Sequence, residues 1–124
     1  MGKILTIEDD APLRETLTEI LETYGHTVIQ AVDGEEGVEM FCKTSPDLVL
    51  CDINMPKMDG FEVLTKLLTL AGADEFPPFI FLSANLEQKN IKHGLDLGVV
   101  DFVEKPYSAK KLLELVDRRL LKKK

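Results

Sequence analysis

Four kinds of polar residue stand directly after short apolar runs. Glu8, Asp9 and Asp10 follow Ile4-Leu5-Thr6-Ile7, Asp52 follows Leu48-Val49-Leu50-Cys51, Ser83 follows Phe79-Ile80-Phe81-Leu82, and Lys105 closes Phe102-Val103-Glu104. Asp10, one residue before Ala11-Pro12, suits a helix N-cap with proline in the first turn. If the other acids meet at one edge of a sheet, two carboxylates ~4 Å apart repel by roughly 4 kcal/mol at an effective dielectric of ~20. Such a cluster needs a counter-cation or a proton. Oxygen ligands without His or Cys favour Mg²⁺, with Mn²⁺ as the substitute. With Ser83 and Lys105 added, the set outlines a phosphoryl-transfer site. Asp52 would be the nucleophile forming an aspartyl-phosphate, the metal and Lys105 would neutralise the phosphoryl oxygens, and Ser83 would donate a hydrogen bond to one of them.

The elements that must position these groups follow from the hydrophobic pattern, which alternates between strand-like runs and amphipathic stretches. Strands are expected at Lys3–Ile7, Thr27–Ala31, 47–51, 79–82 and 100–104, several of them nearly all apolar, as in a sheet covered on both faces. Leu13, Leu17, Ile20, Leu21 and Tyr24 form one helical stripe ending at Gly25. A second and a third helix open at Asp33-Gly34-Glu35-Glu36 and Asp59-Gly60-Phe61-Glu62, both with the acid-x-x-Glu form of a capping box. A fourth is expected to start at Asn85-Leu86-Glu87-Gln88, and a fifth follows Ser108, with Leu112, Leu113, Leu115, Val116, Leu120 and Leu121 as its apolar face. Residues 71–78 make the longest loop, where Pro77-Pro78 bars the third helix from continuing.

Five βα units are too few for an eight-stranded barrel, so the fold class is α/β, an open doubly wound sheet of five parallel strands with helices on both faces. The strand order 2-1-3-4-5 is favoured, by the precedent of known doubly wound proteins as well as by handedness. It makes strands one and three neighbours and places ligands at their carboxyl ends.

Composition limits the alternatives. The 124 residues suit one domain, and 22 Asp+Glu against 15 Lys+Arg give a net charge of −7, unlike a nucleic-acid-binding surface. No apolar run approaches the ~20 residues that span a bilayer, and the start resembles no signal peptide, so a cytoplasmic location is expected. Cys42 and Cys51 have neither metal-ligand nor disulfide spacing and read as core or half-buried thiols. His26 and His93 lack sequence partners and read as surface residues. Neither Met55 nor Met58 is assigned a ligand role, and Met58 is expected to pack on the sheet edge. The closing Lys122-Lys123-Lys124 favours a helix C-terminus.

The run LVLCDINMPKMDG over residues 48–60, with Glu8-Asp9 upstream, Ser83-Ala84 after strand four and Lys105-Pro106 after strand five, resembles the receiver domain of two-component response regulators. The resemblance covers essentially the whole chain, 1–124 being read as a single receiver domain of flavodoxin-like fold. It implies that Asp52 accepts a phosphoryl group from a histidine kinase or histidine phosphotransfer protein, and that Glu8, Asp9 and Asp52 hold Mg²⁺ together with the Asn54 backbone carbonyl. It implies that Ser83 and Lys105 contact the phosphoryl group, that Lys105-Pro106 is cis, and that Ser83 and Phe102 form the switch pair. Phe102 carries no hydroxyl, so the switch must work through packing. Asn54 and Asn85 occupy positions that tune autodephosphorylation in this family, and Asn54 suggests a phosphoryl lifetime of minutes rather than many hours. Val99-Val100 departs from the small residues common before strand five.

The resulting expectation is a Mg²⁺-dependent phosphorylation switch rather than a dedicated enzyme, acting through helix four, strand five and helix five on an unknown downstream protein or output domain. It contacts neither nucleic acid nor membrane directly. No output domain follows Leu121, so the effect would run through a partner or a domain outside this sequence. Lys89, Lys92, Glu104, Lys110 and Lys111 are the partner-facing candidates by position, and a homodimer formed on phosphorylation is a further expectation left open. A phosphohydrolase would want an acid where Asn54 stands. A decayed receiver serving only as a binding module would not retain Glu8, Asp9, Asp52, Ser83 and Lys105 together. A nucleotide-binding relative would need a glycine-rich loop after strand one.

Overall fold

The structure is a computed structural model that describes residues 2–72, 76–84, 87–98 and 101–123, without the side chains of 122 and 123. Five strands, β1 (Lys3–Ile7), β2 (Thr27–Ala31), β3 (Leu48–Asp52), β4 (Phe79–Ser83) and β5 (Asp101–Glu104), alternate with α1 (Ala11–Thr23), α2 (Gly34–Thr44), α3 (Gly60–Ala71), α4 (Gln88–Leu97) and α5 (Ala109–Lys123). All strand pairs are parallel and the order is β2-β1-β3-β4-β5, as the sequence led us to expect. β3 runs one residue later than expected and takes in Asp52, and β4 takes in Ser83. Asp52 and Ser83 are thus the last residues of central strands, held by the strand ladder rather than carried on loops.

Strand alternation sorts the core into two layers. Ile4, Leu48, Leu50, Ile80 and Leu82 pack against Leu17 and Leu21 of α1 and Leu112, Leu113 and Val116 of α5. Leu5, Ile7, Val49, Cys51, Phe79 and Phe81 face Phe41 of α2 and Phe61, Val63, Leu64 and Leu67 of α3, with Leu97 of α4 at the margin. Each fully buried aliphatic or aromatic side chain contributes about 1.5–3 kcal/mol by leaving water, and both faces of β3 and β4 are buried throughout.

The caps explain where the helices begin. Asp10 accepts from the Leu13 amide at 3.2 Å and Ser108 Oγ from the Lys111 amide at 3.1 Å. Asp59 and Glu62 complete a reciprocal box at 2.9 and 3.1 Å. At α2 the box is altered, because Asp33 accepts from Glu36 N–H but Glu36 reaches back to the amide of Val32 instead of Asp33. α4 opens at Gln88 behind Glu87, which makes no side-chain cap bond. The expected cap Asn85 lies outside the described residues, as do Val99 and Val100.

Three sequence readings need correction. His26 is buried, its Nδ1 accepting from the Gly2 amide at 3.2 Å while Nε2 meets Asp117 Oδ1 at 3.2 Å. Cys42 is exposed, because α2 turns only its Gly37 and Phe41 side inward. Leu13 and Tyr24, at the two ends of the α1 stripe, are 39% and 65% exposed, since the sheet and α5 cover only its middle. His93 is exposed as expected, lying flat on Phe61 with centroids 4.3 Å apart. Met58 packs at the edge of the second layer, and Met55 is buried there.

Candidate functional site

β1 and β3 are neighbours, so the acids at their ends meet. Glu8 is buried, with its amide donating to Ala31 of β2 at 3.1 Å, and Asp52 is 4% exposed. One carboxylate oxygen from each of Glu8, Asp9 and Asp52 lies within 4.8 Å of the other two. Asp9 is exposed and gives the cluster its opening to solvent. Asn54 donates its amide N–H to Asp52 Oδ1 at 3.2 Å, which anchors the loop after β3 to the carboxylate it serves.

Lys105 enters from the far side of the sheet. Its amide donates to the Ser83 carbonyl at 2.8 Å, extending the β4–β5 ladder past Glu104. The Lys105-Pro106 peptide is cis, as the resemblance implies. The ammonium lies 2.8 Å from Glu8 Oε1 and 3.3 Å from Asp52 Oδ2, bridging the two buried acids. Ser83 is fully buried at the end of β4. Phe102 is half-buried opposite Phe81 in the β4–β5 register, with ring centroids 5.9 Å apart.

The electrostatics follow from crowding. Burial raises the Glu8 carboxyl above its ordinary value, and the Asp52 charge adds to this while Lys105 works against it. Asp9 is also raised, first by desolvation and then by Glu8. Burial alone would lower the Lys105 ammonium, but the Glu8 and Asp52 carboxylates outweigh it and hold the lysine above its usual value. The Cys51 thiol, buried beside Asp52, is pushed well above the ordinary thiol range by burial and then by the neighbouring acids, so it stays protonated.

Three carboxylates against one ammonium leave a local excess of negative charge, open on the Asp9 side. A hard divalent cation matches this all-oxygen set, and the converging donors fit one. The structure therefore brings Glu8, Asp9, Asp52 and Lys105 together as the sequence suggested, with Ser83 closing the neighbouring strand.

Sequence reasoning missed the role of Gly60. It read as the residue after a helix cap, yet a Cβ there would lie 2.7 Å from the Asp52 carbonyl and 2.8 Å from Phe81 Cε1. Glycine lets the start of α3 press against the strand end that carries Asp52, with the Gly60 amide on Ile53 O at 2.8 Å. The only hint was the Asp-Gly pair at a fixed distance after Asp52. The direct Glu8–Lys105 ion pair was also not foreseen, because the sequence assigned the two to different partners.

A doubly wound α/β domain with an acidic cluster and a lysine at the carboxyl edge of its sheet is the class this geometry defines. The chain belongs to the response regulator receiver domain family, whose sequence model it matches over residues 4–117. It is 39% identical over 110 residues to the probable transcriptional regulator ycf27 of Porphyridium aerugineum, covering 89% of this chain and 44% of that protein. To protein CcdB of Bacillus subtilis (strain 168) it is 34% identical over 119 residues, covering 95% of this chain and 97% of that one. Among solved structures it superposes on the chemotaxis protein CheY4 of Vibrio cholerae with a TM-score of 0.90, at 27% identity and over 96% and 98% of the two chains. The chain spans less than half the length of several curated relatives it matches. Receiver domains are signalling domains, and no helix among the described residues is long and apolar enough to cross a membrane.

Proposed function

We propose that residues 1–124 form one receiver domain acting as a phosphorylation switch, with Asp52 as the phosphoacceptor. The observation that carries this reading is the Lys105 ammonium held 3.3 Å from Asp52 Oδ2 and 2.8 Å from Glu8 Oε1, beside an acidic cluster open to solvent through Asp9. An Asp52 carboxylate oxygen attacks the phosphorus of a phosphohistidine on a histidine kinase or histidine phosphotransfer protein. A P–O bond forms as the P–N bond breaks, and the departing imidazole nitrogen takes up a proton. In hydrolysis a water oxygen attacks phosphorus, the P–O bond to Asp52 breaks, and the carboxylate and inorganic phosphate are released.

Glu8, Asp9, Asp52 and the Asn54 backbone carbonyl would hold Mg²⁺, which Mn²⁺ can replace. When bound, it supplies positive charge to the phosphoryl oxygens. Lys105 neutralises a phosphoryl oxygen and, to do so, leaves Glu8 for the new acyl phosphate. The Ser83 hydroxyl donates to another phosphoryl oxygen. Asp52 is buried, and Asn54, on the loop that follows β3, orients the attacking water. Phe102 turns with Ser83 and shifts a pre-existing equilibrium at the surface of α4, β5 and α5. Exposed Lys89, Lys92, Glu104, Lys110 and Lys111 lie on that side. The output is a downstream protein or attached domain, and self-association on phosphorylation is a further outcome of the same surface. Nucleic acid and membrane are not direct partners, the location is cytoplasmic, and the domain assists its own phosphorylation without being a dedicated enzyme.

The test is incubation with Mg²⁺ and acetyl phosphate, followed by intact-mass analysis. One added phosphoryl group is expected on the wild type, dependent on Mg²⁺ and absent from Asp52→Asn. An adduct that persists in Asp52→Asn would overturn the assignment.

A further inference from the structure

A basic residue in the first turns of a helix is placed against the helix dipole, whose N-terminal end favours anions. Arg14 is such a residue, four positions after the cap Asp10, in a helix whose first turn has no acidic residue of its own. Its guanidinium has no carboxylate partner among the described residues. Instead, Nη1 donates to the backbone carbonyl of Glu8 at 2.8 Å. That carbonyl belongs to the peptide joining Glu8 to Asp9, the two acids that β1 contributes to the site.

We infer that Arg14 is a positioning residue for the divalent-cation site, fixing the Glu8–Asp9 peptide plane so that Asp9 faces Glu8 and Asp52. The inference rests on the metal reading proposed above. Glu8 is already held at its amide by Ala31 O and at its side chain by Lys105, and Glu8 Oε2 accepts the Asp10 amide at 3.3 Å. Asp9 is exposed, and the peptide before it, whose carbonyl Arg14 holds, sets the direction from which its side chain leaves the backbone. The bond spans the turn from strand to helix, so it also ties the start of α1 to the end of β1.

Positioning and simple charge predict opposite signs. Removing a cation from beside an acidic cluster should tighten divalent-ion binding if charge alone matters, whereas losing the positioning bond should weaken it. The experiment measures Mn²⁺ uptake by the decline of the free-ion electron paramagnetic resonance signal, for wild type, Arg14→Ala, Arg14→Lys and Asp9→Asn. Circular dichroism melting without metal checks that each variant is folded.

Arg14→Ala is expected to bind Mn²⁺ about tenfold more weakly, the lower end of losses seen when support around metal ligands is removed. Arg14→Lys, which keeps the charge and a flexible donor able to approach the same carbonyl, should recover most of the affinity. The Mg²⁺ concentration giving half-maximal phosphorylation by acetyl phosphate should rise in Arg14→Ala, with the rate at saturating Mg²⁺ little changed. Equal or tighter Mn²⁺ binding by a folded Arg14→Ala would overturn the positioning role. Failure of the wild type itself to bind Mn²⁺, or binding unaffected by Asp9→Asn, would overturn the metal reading and the positioning role with it. Those two failures are distinguished by the wild-type and Asp9→Asn measurements.

Discussion

Glu8 and Asp9 carry a cost of burial that their neighbours offset only in part. Asp9 has no ion-pair partner among the described residues, and burial and Glu8 raise its carboxyl above the ordinary 3.8. An acid raised in the folded state contributes stability that is fully present below its unfolded value and lost as pH rises through the folded one. Without divalent ions, Asp9→Asn is therefore expected to melt higher than the wild type at pH 7, with the advantage shrinking as pH falls toward 3.8. Thermal melts in metal-free buffer across that range check this, and a lower melting point for the variant at pH 7 would contradict it. Gly60→Ala is expected to destabilise by about 2 kcal/mol, within the range for overpacking, because the new methyl would press on the Asp52 carbonyl and on Phe81. Urea unfolding measures it. Asp52, Ser83 and Lys105 were legible in the sequence because a polar residue ending an apolar run has few structural reasons to be there. Gly60 was not, because a missing side chain signals nothing until its neighbours are known.

At the level of elements, periodicity located strands and helices but could not show how far each face is covered. The α1 stripe was read from Leu13 to Tyr24, yet only its middle meets the sheet and α5. Cys42 went astray for a related reason, since α2 is held mainly along its Gly37 side, where Ile7 lies too close to admit a Cβ. His26 was illegible because its partners, Gly2 and Asp117, are 24 and 91 positions away. It links the start of β1, the entry to β2 and the late part of α5. His26→Ala is expected to cost about 1 kcal/mol, the order for losing a hydrogen bond and leaving the half-buried Gly2 amide without its partner. Urea titration at pH 7 reads this, and a change below 0.5 kcal/mol, the usual scatter of inert surface substitutions, would show the pair to be decorative.

For the whole molecule, the sheet gathers one excess of negative charge at its carboxyl edge, and ligand linkage makes that excess measurable. A cation that binds only the folded chain, at a concentration about a hundredfold above its dissociation constant, stabilises by about 2.7 kcal/mol. In a domain of this size that corresponds to a melting-point rise of about 10 °C. Mg²⁺ is expected to produce a rise of this order, and chelation to reverse it. The rise should be sharply reduced in Asp9→Asn, and an equal rise in that variant would place the ion elsewhere. The two-layer core was predictable at this scale because nearly all-apolar strands require cover on both faces.

The Gly2–His26–Asp117 link has a consequence for how a domain of this fold can be joined to others. It draws the first strand and the last helix to the same corner, with Leu120 against Gly2, at the end of the sheet opposite the acidic cluster. A fold whose entrance and exit lie side by side can be spliced into a host chain at a single surface loop without prising the host apart. The acidic cluster then points away from the seam. Such a module can be moved between proteins, fused at either end or embedded in the middle, without the junction crossing the acidic cluster.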